Sequence, residues 1–224
     1  MMGGDIQGII DKLDYLKELG VNALYLNPVF AAKSNHKYDT LDYFKIDPQF
    51  GTLEDMKRLT ERCRELGIRV VLDLVINHCG YDHPFFQDVV KNGERSVYRD
   101  WFYIREYPVT LSDTKYDSVW YYRWMPKWKT SNPQVKQYVF DIVSFWQKET
   151  GIDGWRIDVA DEVELSFLRE LNSHVKQINK DAFIIAEIWH DAKRLMMSGG
   201  TDSVMNYDLR SILIGFIVDR SITA

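Results

Sequence analysis

The sequence predicts an α/β protein built on a parallel sheet, and three observations carry that prediction. Three times, a run of apolar residues at helical spacing stops at a glycine and is followed at once by an apolar strand pattern. Helices and strands go on alternating through short links toward the C-terminus. Polar side chains then fall at the ends of these strands, where parallel α/β folds gather their chemistry.

Ile6, Ile9, Ile10, Leu13, Leu16 and Leu19 form the first helical stripe; Gly20 ends it, and residues 21–29 read as a buried strand. The second unit is a helix over 53–66, a stop at Gly67 and the strand RVVLDLVI at 69–76. The third is a helix over 135–150, a stop at Gly151 and the strand within GIDGWRIDVADE at 151–162. A fourth helix over 163–178 leads to AFIIAEI at 182–188, and a shorter helix near 191–198 leads to SVMNY at 203–207. The pattern alone leaves doubly wound and barrel architectures both open. Between His78 and about Thr130 the rhythm fails and aromatics crowd in, among them Trp101, Phe102, Tyr103, Tyr116, Trp120, Tyr121, Tyr122, Trp124 and Trp128. A structureless loop of that length is improbable inside a domain, so 78–130 is expected to be an inserted subdomain, leaving 3–77 and 131–224 to the α/β unit.

Composition narrows the partners. The 224 residues carry a net charge of -5, which offers no basic footprint for nucleic acid. The most apolar run is interrupted by Arg69 and Asp73 and is too short for the roughly 20 residues of a membrane span. The start, MMGGDIQG, has no charged segment followed by an apolar one, so a cytoplasmic location is expected. Cys63 and Cys79 form neither a disulfide framework nor a metal spacing, and both read as buried fillers.

Four strand ends hold the candidate chemistry. DLVINH at 73–78 places Asp73 within an apolar strand, with Asn77 and His78 at its exit. Arg156 and Asp158, two apart, share one face of the next strand. Glu187 ends FIIAE and is followed by Trp189 and His190, while SNHKYDTLDY at 34–43 reads as a loop carrying His36, Tyr38, Asp39 and Asp42. Each has a plainer reading: Asp73 as a structural carboxylate, His78 as a core histidine, Arg156 and Asp158 as a buried ion pair that only fixes packing. Asp158 and Glu187 lie 187 - 158 = 29 residues apart, one strand-helix-strand step, so they face each other from adjacent strand ends. Two such carboxylates suit acetal chemistry, for which retaining enzymes hold them about 5 to 5.5 Å apart. Arg156 would keep Asp158 ionised, and Ile188 and Trp189 would leave Glu187 in an apolar setting that holds its proton. The aromatic excursion fits a sugar substrate as well as it fits an aromatic core.

Together these residues resemble the α-amylase family, glycoside hydrolase family 13. DLVINH, GWRIDVADE and EIW look like its first three signatures, in order. SNHKYDTLDYFKIDPQFG, MPKW at 125–128, EIWHDA and DSVMNY are similar to the neopullulanase, cyclomaltodextrinase and maltogenic amylase subfamily, and the likeness runs from about Gly3 to about Phe216. The resemblance implies a (β/α)8 barrel of TIM type, here incomplete at about six β/α units, with the insertion following strand 3. It implies Asp158 as nucleophile, Glu187 as acid/base, Arg156 orienting Asp158, Tyr38 stacking on the sugar and His78 bonding its hydroxyls. Asp73 becomes a structural carboxylate of the site; Trp128, Glu162 and His190 are candidates for outer subsites. No cofactor is required, with calcium an option at Asn77, a position that ligates calcium in many α-amylases. An α-glucan is the expected partner, and a homodimer is an option for a longer parent.

Departures qualify the expectation. No His-Asp pair follows His190, although the family carries one after its seventh strand, and MPKW and DVADE stand where the subfamily usually has MPKL and DVANE. The chain is therefore expected to be a truncated catalytic domain with little or no activity alone. Its leading function is retaining hydrolysis of α-glucosidic bonds in maltooligosaccharides, cyclodextrins, pullulan or starch; the alternative is a non-catalytic maltooligosaccharide-binding or assembly module. A phosphate-handling barrel is disfavoured because no glycine-rich phosphate loop follows any strand.

Overall fold

A computed structural model of the chain describes residues 3–112 and 114–219. Residues 220–224 of the expected α/β segment and Asp113 of the expected insertion lie outside the described residues. In chain order the elements begin with helices α1 (Ile6–Ile10) and α2 (Leu13–Glu18), then strands β1 (Ala23–Leu26), β2 (Phe30–Ala32) and β3 (Thr40–Ile46). Helix α3 (Leu53–Glu65) and strand β4 (Arg69–Leu74) follow, then α4 (Pro84–Asn92), α5 (Pro133–Thr150), β5 (Gly154–Ile157) and α6 (Leu165–Ile178). The last elements are β6 (Phe183–Ile188), α7 (Lys193–Ser198), β7 (Ser203–Asn206) and α8 (Tyr207–Leu213), which runs into a π-helical turn over Ile214–Val218.

Strands β1, β4, β5, β6 and β7 form one parallel sheet in that order. This is the expected parallel architecture, with five strands among the described residues rather than about six units. Each strand pattern read from the sequence makes one strand, and β4, the second of them, precedes the 78–130 segment. Helices pack against the outer face: α5 buries Val135, Val139, Ile142, Val143 and Trp146, a stripe at helical spacing. Gly154 is required where β5 meets β6, because a Cβ there would lie 2.2 Å from the Phe183 carbonyl oxygen.

Three local readings change. The single helix over 6–19 is two helices, since Lys12 leaves helical geometry (φ -108°, ψ 2°); Gly8 weakens the first segment, and the break lets Ile6 and Leu13 both reach the core. The strand over 21–29 is shorter, because Pro28 cannot donate to the ladder and the chain leaves the sheet after Leu26. Residues 40–43, read as loop, belong to β3, which pairs antiparallel with β2. Register shifts on either side of Ala31 break the simple two-residue alternation that would have betrayed the strand.

The 78–130 segment contains a helix, α4, two single 3-10 turns and isolated antiparallel bridges such as His78 with Lys127 and Phe102 with Trp128. Its Phe86, Phe102, Tyr116 and Trp128 share one hydrophobic core with the sheet and helices. A smaller cluster joins Val119 and Met125 to Val159, with Tyr38 and Tyr122 against it, so the 78–130 segment roofs the C-terminal strand ends. Both cysteines are free and buried. Among the described residues no helix is long and apolar enough to cross a membrane.

Candidate active site

Strand register assembles the site. Asp73 on β4 lies directly opposite Arg156 on β5, which in turn lies opposite Ile185 on β6. Two residues further on, Asp158 and Glu187 therefore emerge on that same face at the strand ends. One guanidinium holds all three acids. Arg156 Nη1 donates to both oxygens of Asp73 at 3.0 Å and to Asp158 Oδ1 at 2.7 Å, while Nη2 pairs with Glu187 Oε2 at 2.9 Å. The four side chains are buried, each less than 10% exposed.

Asp73 Oδ2 takes two further donors, Tyr25 at 2.5 Å and Tyr38 at 3.0 Å, and both rings lie about 6 Å from the Arg156 guanidinium. Burial and the Asp73 charge push both tyrosine hydroxyls well above their ordinary range, so they remain donors. Glu187 is tied from two more directions: Val159 N–H donates to Oε2 at 3.0 Å and Tyr207 Oη to Oε1 at 3.2 Å. Val159 is left-handed (φ 46°, ψ 47°), a β-branched residue in a region that costs on the order of 1–3 kcal/mol, and the turn aims its N–H at Glu187.

His78 stands over Asp158 with Nε2 4.0 Å from Oδ2. Burial, with a contribution from Lys127, holds its pKa down to about 3, so the imidazole is neutral and the contact is no ion pair. Among the described residues its buried Nε2 has no hydrogen-bond partner. In front of these groups lies a cleft of about 440 Å³, walled by His36, Tyr38, His78, Trp120, Tyr122, Trp124, Met125 and Trp189 and floored by Arg156, Asp158 and Glu187. Trp189 stacks on Tyr207 at 4.3 Å and 15°, an aromatic face at the rim.

The charge pattern differs from the sequence reading. Arg156 is not dedicated to Asp158; it is shared three ways. Burial first, then the Asp73 and Glu187 carboxylates, raise the Asp158 pKa above its ordinary value, with Arg156 pulling the other way. Burial likewise raises that of Asp73. Nor does Glu187 sit in the apolar setting expected from Ile188 and Trp189, since its carboxylate meets a guanidinium, a backbone N–H and a phenol.

Trp128 is a correction. It is buried, stacked on Phe102 at 4.7 Å, and donates its indole N–H to Tyr43 Oη at 3.2 Å, so it builds the core behind the cleft instead of a subsite. Glu162 is half-buried and pairs with Lys127 Nζ at 3.0 Å, and His190 is exposed beside Trp189; neither lines the cleft. Asn77 is buried with its amide nitrogen 3.3 Å from the same Glu162 oxygen. Beside Asn77, the Lys127 ammonium is paired with the Glu162 carboxylate. Among the described residues no group of three or more His, Cys, Asp or Glu side chains is placed to hold a metal ion.

Three contributors escaped the sequence reading. Tyr25 is legible in hindsight, since it pairs with Val71, two before Asp73, and therefore shares its face. Tyr207 lies two beyond Met205, the partner of Glu187 across the sheet, and parity would have found it too. The left-handed turn at Val159 has no sequence signal, because such a turn calls for glycine or asparagine.

A parallel sheet that carries its acids at the C-terminal strand ends is the arrangement of a barrel-type catalytic domain. The alpha-amylase catalytic-domain model matches residues 2–222, and the chain belongs to that family. It is 50% identical over 223 residues to a cyclomaltodextrinase of Geobacillus thermopakistaniensis, covering 99% of this chain and 38% of the relative. It is 47% identical over 222 residues to an intracellular maltogenic amylase of Bacillus subtilis, covering 99% of this chain and 37% of that one. A solved cyclic alpha-maltosyl-(1-->6)-maltose hydrolase from Arthrobacter globiformis superposes with a TM-score of 0.95 at 44% identity, covering all of this chain and 51% of its own. The chain thus spans well under half the length of the curated relatives it matches.

Proposed function

We propose that this chain carries the nucleophile and acid/base portion of an active site for retaining hydrolysis of α-glucosidic bonds in maltooligosaccharides and related α-glucans. The observation that carries the reading is the shared guanidinium: Arg156 presents Asp158 and Glu187 side by side at adjacent strand ends, facing an aromatic cleft. Glu187 gives its proton to the glycosidic oxygen, the bond from that oxygen to the anomeric carbon breaks, and Asp158 bonds to the anomeric carbon. Water then attacks that carbon, releasing Asp158, while Glu187 takes the water proton back. With Glu187 protonated, the two ionised aspartates around one cation still leave the floor of the cleft negative, which favours the oxocarbenium-like transition state. In this reading His78 Nε2, without a partner among the described residues, bonds a sugar hydroxyl, and the Tyr38 ring packs on a sugar face; their positions on the cleft wall support it.

The kinship with an intracellular maltogenic amylase supports a cytoplasmic setting. The test is a covalent trap. A ring-fluorinated glucosyl donor should leave one fluoroglucosyl mass on Asp158, located by peptide mass spectrometry in a full-length parent. A label on another residue would reject the assignment. Calorimetry with maltotriose on a full-length parent, run beside a hydrolysis assay, separates catalysis from the binding-module reading: binding without turnover favours the latter.

A further inference from the structure

The loop that brings Tyr38 to the cleft is fastened from behind. Lys37 is left-handed (φ 65°), although it is neither glycine nor asparagine, so its backbone needs an outside constraint. Its side chain turns away from the cleft into the protein and is only 3% exposed. Lys37 Nζ bonds Asp47 Oδ2 at 2.7 Å and the Ala32 carbonyl at 3.2 Å, and lies 5.7 Å over the Phe50 ring. Asp47 is itself fixed. Its Oδ2 accepts from Ala32 N–H at 3.2 Å and its Oδ1 from Gln49 N–H at 3.0 Å, and its side chain is 6% exposed. The pair therefore ties the start of the loop, at the end of β2, to the exit of β3. On either side of Lys37 stand His36 and Tyr38, both walls of the cleft, and Tyr38 alone continues to Asp73.

We propose that Lys37 and Asp47 are positioning residues: a buried ion-pair clamp that holds the 34–39 loop in the turn presenting the Tyr38 ring to a bound α-glucan. A buried lysine without function would be an expense, because burying a charge pair seldom adds stability over apolar packing. Here the pair enforces one backbone conformation at the one loop residue that connects the cleft to the buried acids. The inference rests on the proposed carbohydrate cleft for its ligand.

The test is a double-mutant cycle on the 224-residue chain, read by calorimetry with maltotriose. Lys37→Met should weaken binding about ten-fold when Tyr38 is present and change it less than about two-fold in a Tyr38→Ala background, and Lys37→Arg should restore most of the loss. Equal losses in both backgrounds would reduce Lys37 to general stability and overturn the proposal. A Tyr38→Ala variant that binds as tightly as the parent chain would sink the cleft reading, whereas loss with Tyr38→Ala alone would sink only the clamp. Hydrogen exchange needs no ligand and keeps the clamp testable in a chain that binds nothing. Asp47→Asn, which keeps the size of the side chain, should raise amide exchange across 34–39 and leave β4 and β5 protected. Unchanged exchange in the loop would overturn the clamp.

Discussion

Replacing Arg156 with methionine tests the charge arrangement most directly. The guanidinium bonds Asp73, Asp158 and Glu187 together, in a site where every partner side chain is less than 10% exposed. Methionine fills similar volume but removes the guanidinium, so buried carboxylates lose their partner. Breaking a buried pair in this way costs about 3–5 kcal/mol, a large share of the roughly 5–15 kcal/mol that stabilises a domain. For a chain of this length each kcal/mol lowers Tm by about 2–4 °C, so a fall of about 6–20 °C is expected. The deficit must also depend on pH in one direction. Asp73 and Asp158 already titrate above their ordinary value of 3.8, and removing Arg156 pushes them further up. Groups with raised folded pKa values stabilise the fold fully below their unfolded value, and that contribution is lost as pH rises through the folded value. The Arg156→Met penalty is therefore largest near neutrality and shrinks toward pH 4. Thermal melts at about pH 4.5 and 7.0 decide the matter. A Tm within about 2 °C of the parent at neutral pH, or a deficit that fails to shrink in acid, would refute the reasoning.

Trp128→Ala should cost about 3–5 kcal/mol in urea unfolding because the indole lies in the aromatic core; weaker maltotriose binding with unchanged stability would restore it to the cleft. His78→Phe should lower maltotriose affinity by about ten-fold, since a substrate hydroxyl loses the partner that Nε2 offers, and calorimetry reads the change directly. The Asp47 carboxyl is held below its usual range: burial acts upward, but the Lys37 bond and the Gln49 and Ala32 N–H groups outweigh it. Its contribution is present above the unfolded value of 3.8 and lost as pH falls through the folded one, so the parent chain should lose more stability than Asp47→Asn between about pH 4 and 2 in acid-unfolding curves.

Much of this molecule was legible without coordinates. The helix-glycine-strand rhythm and the 29-residue interval between Asp158 and Glu187 predict parallel strands with acids at adjacent ends, because side-chain period and unit length are local properties of the chain. The alternation of Arg156 and Asp158 likewise places both on one face before any partner is known. What these local rules do not contain is who shares whom. Arg156 serving three carboxylates, Tyr25 and Tyr38 converging on Asp73 from separate strands and loops, and Trp128 turning inward all depend on groups tens of residues apart meeting across the sheet. Packing also overrode local preference at Lys37 and Val159, where non-glycine residues hold left-handed turns because buried hydrogen bonds around them are worth more than the strain. The sequence alone therefore determined which chemistry is present and on which faces it lies. Tertiary structure decided how charge, aromatic walls and backbone strain are shared among those residues, since such sharing is a property of through-space contacts rather than of chain spacing.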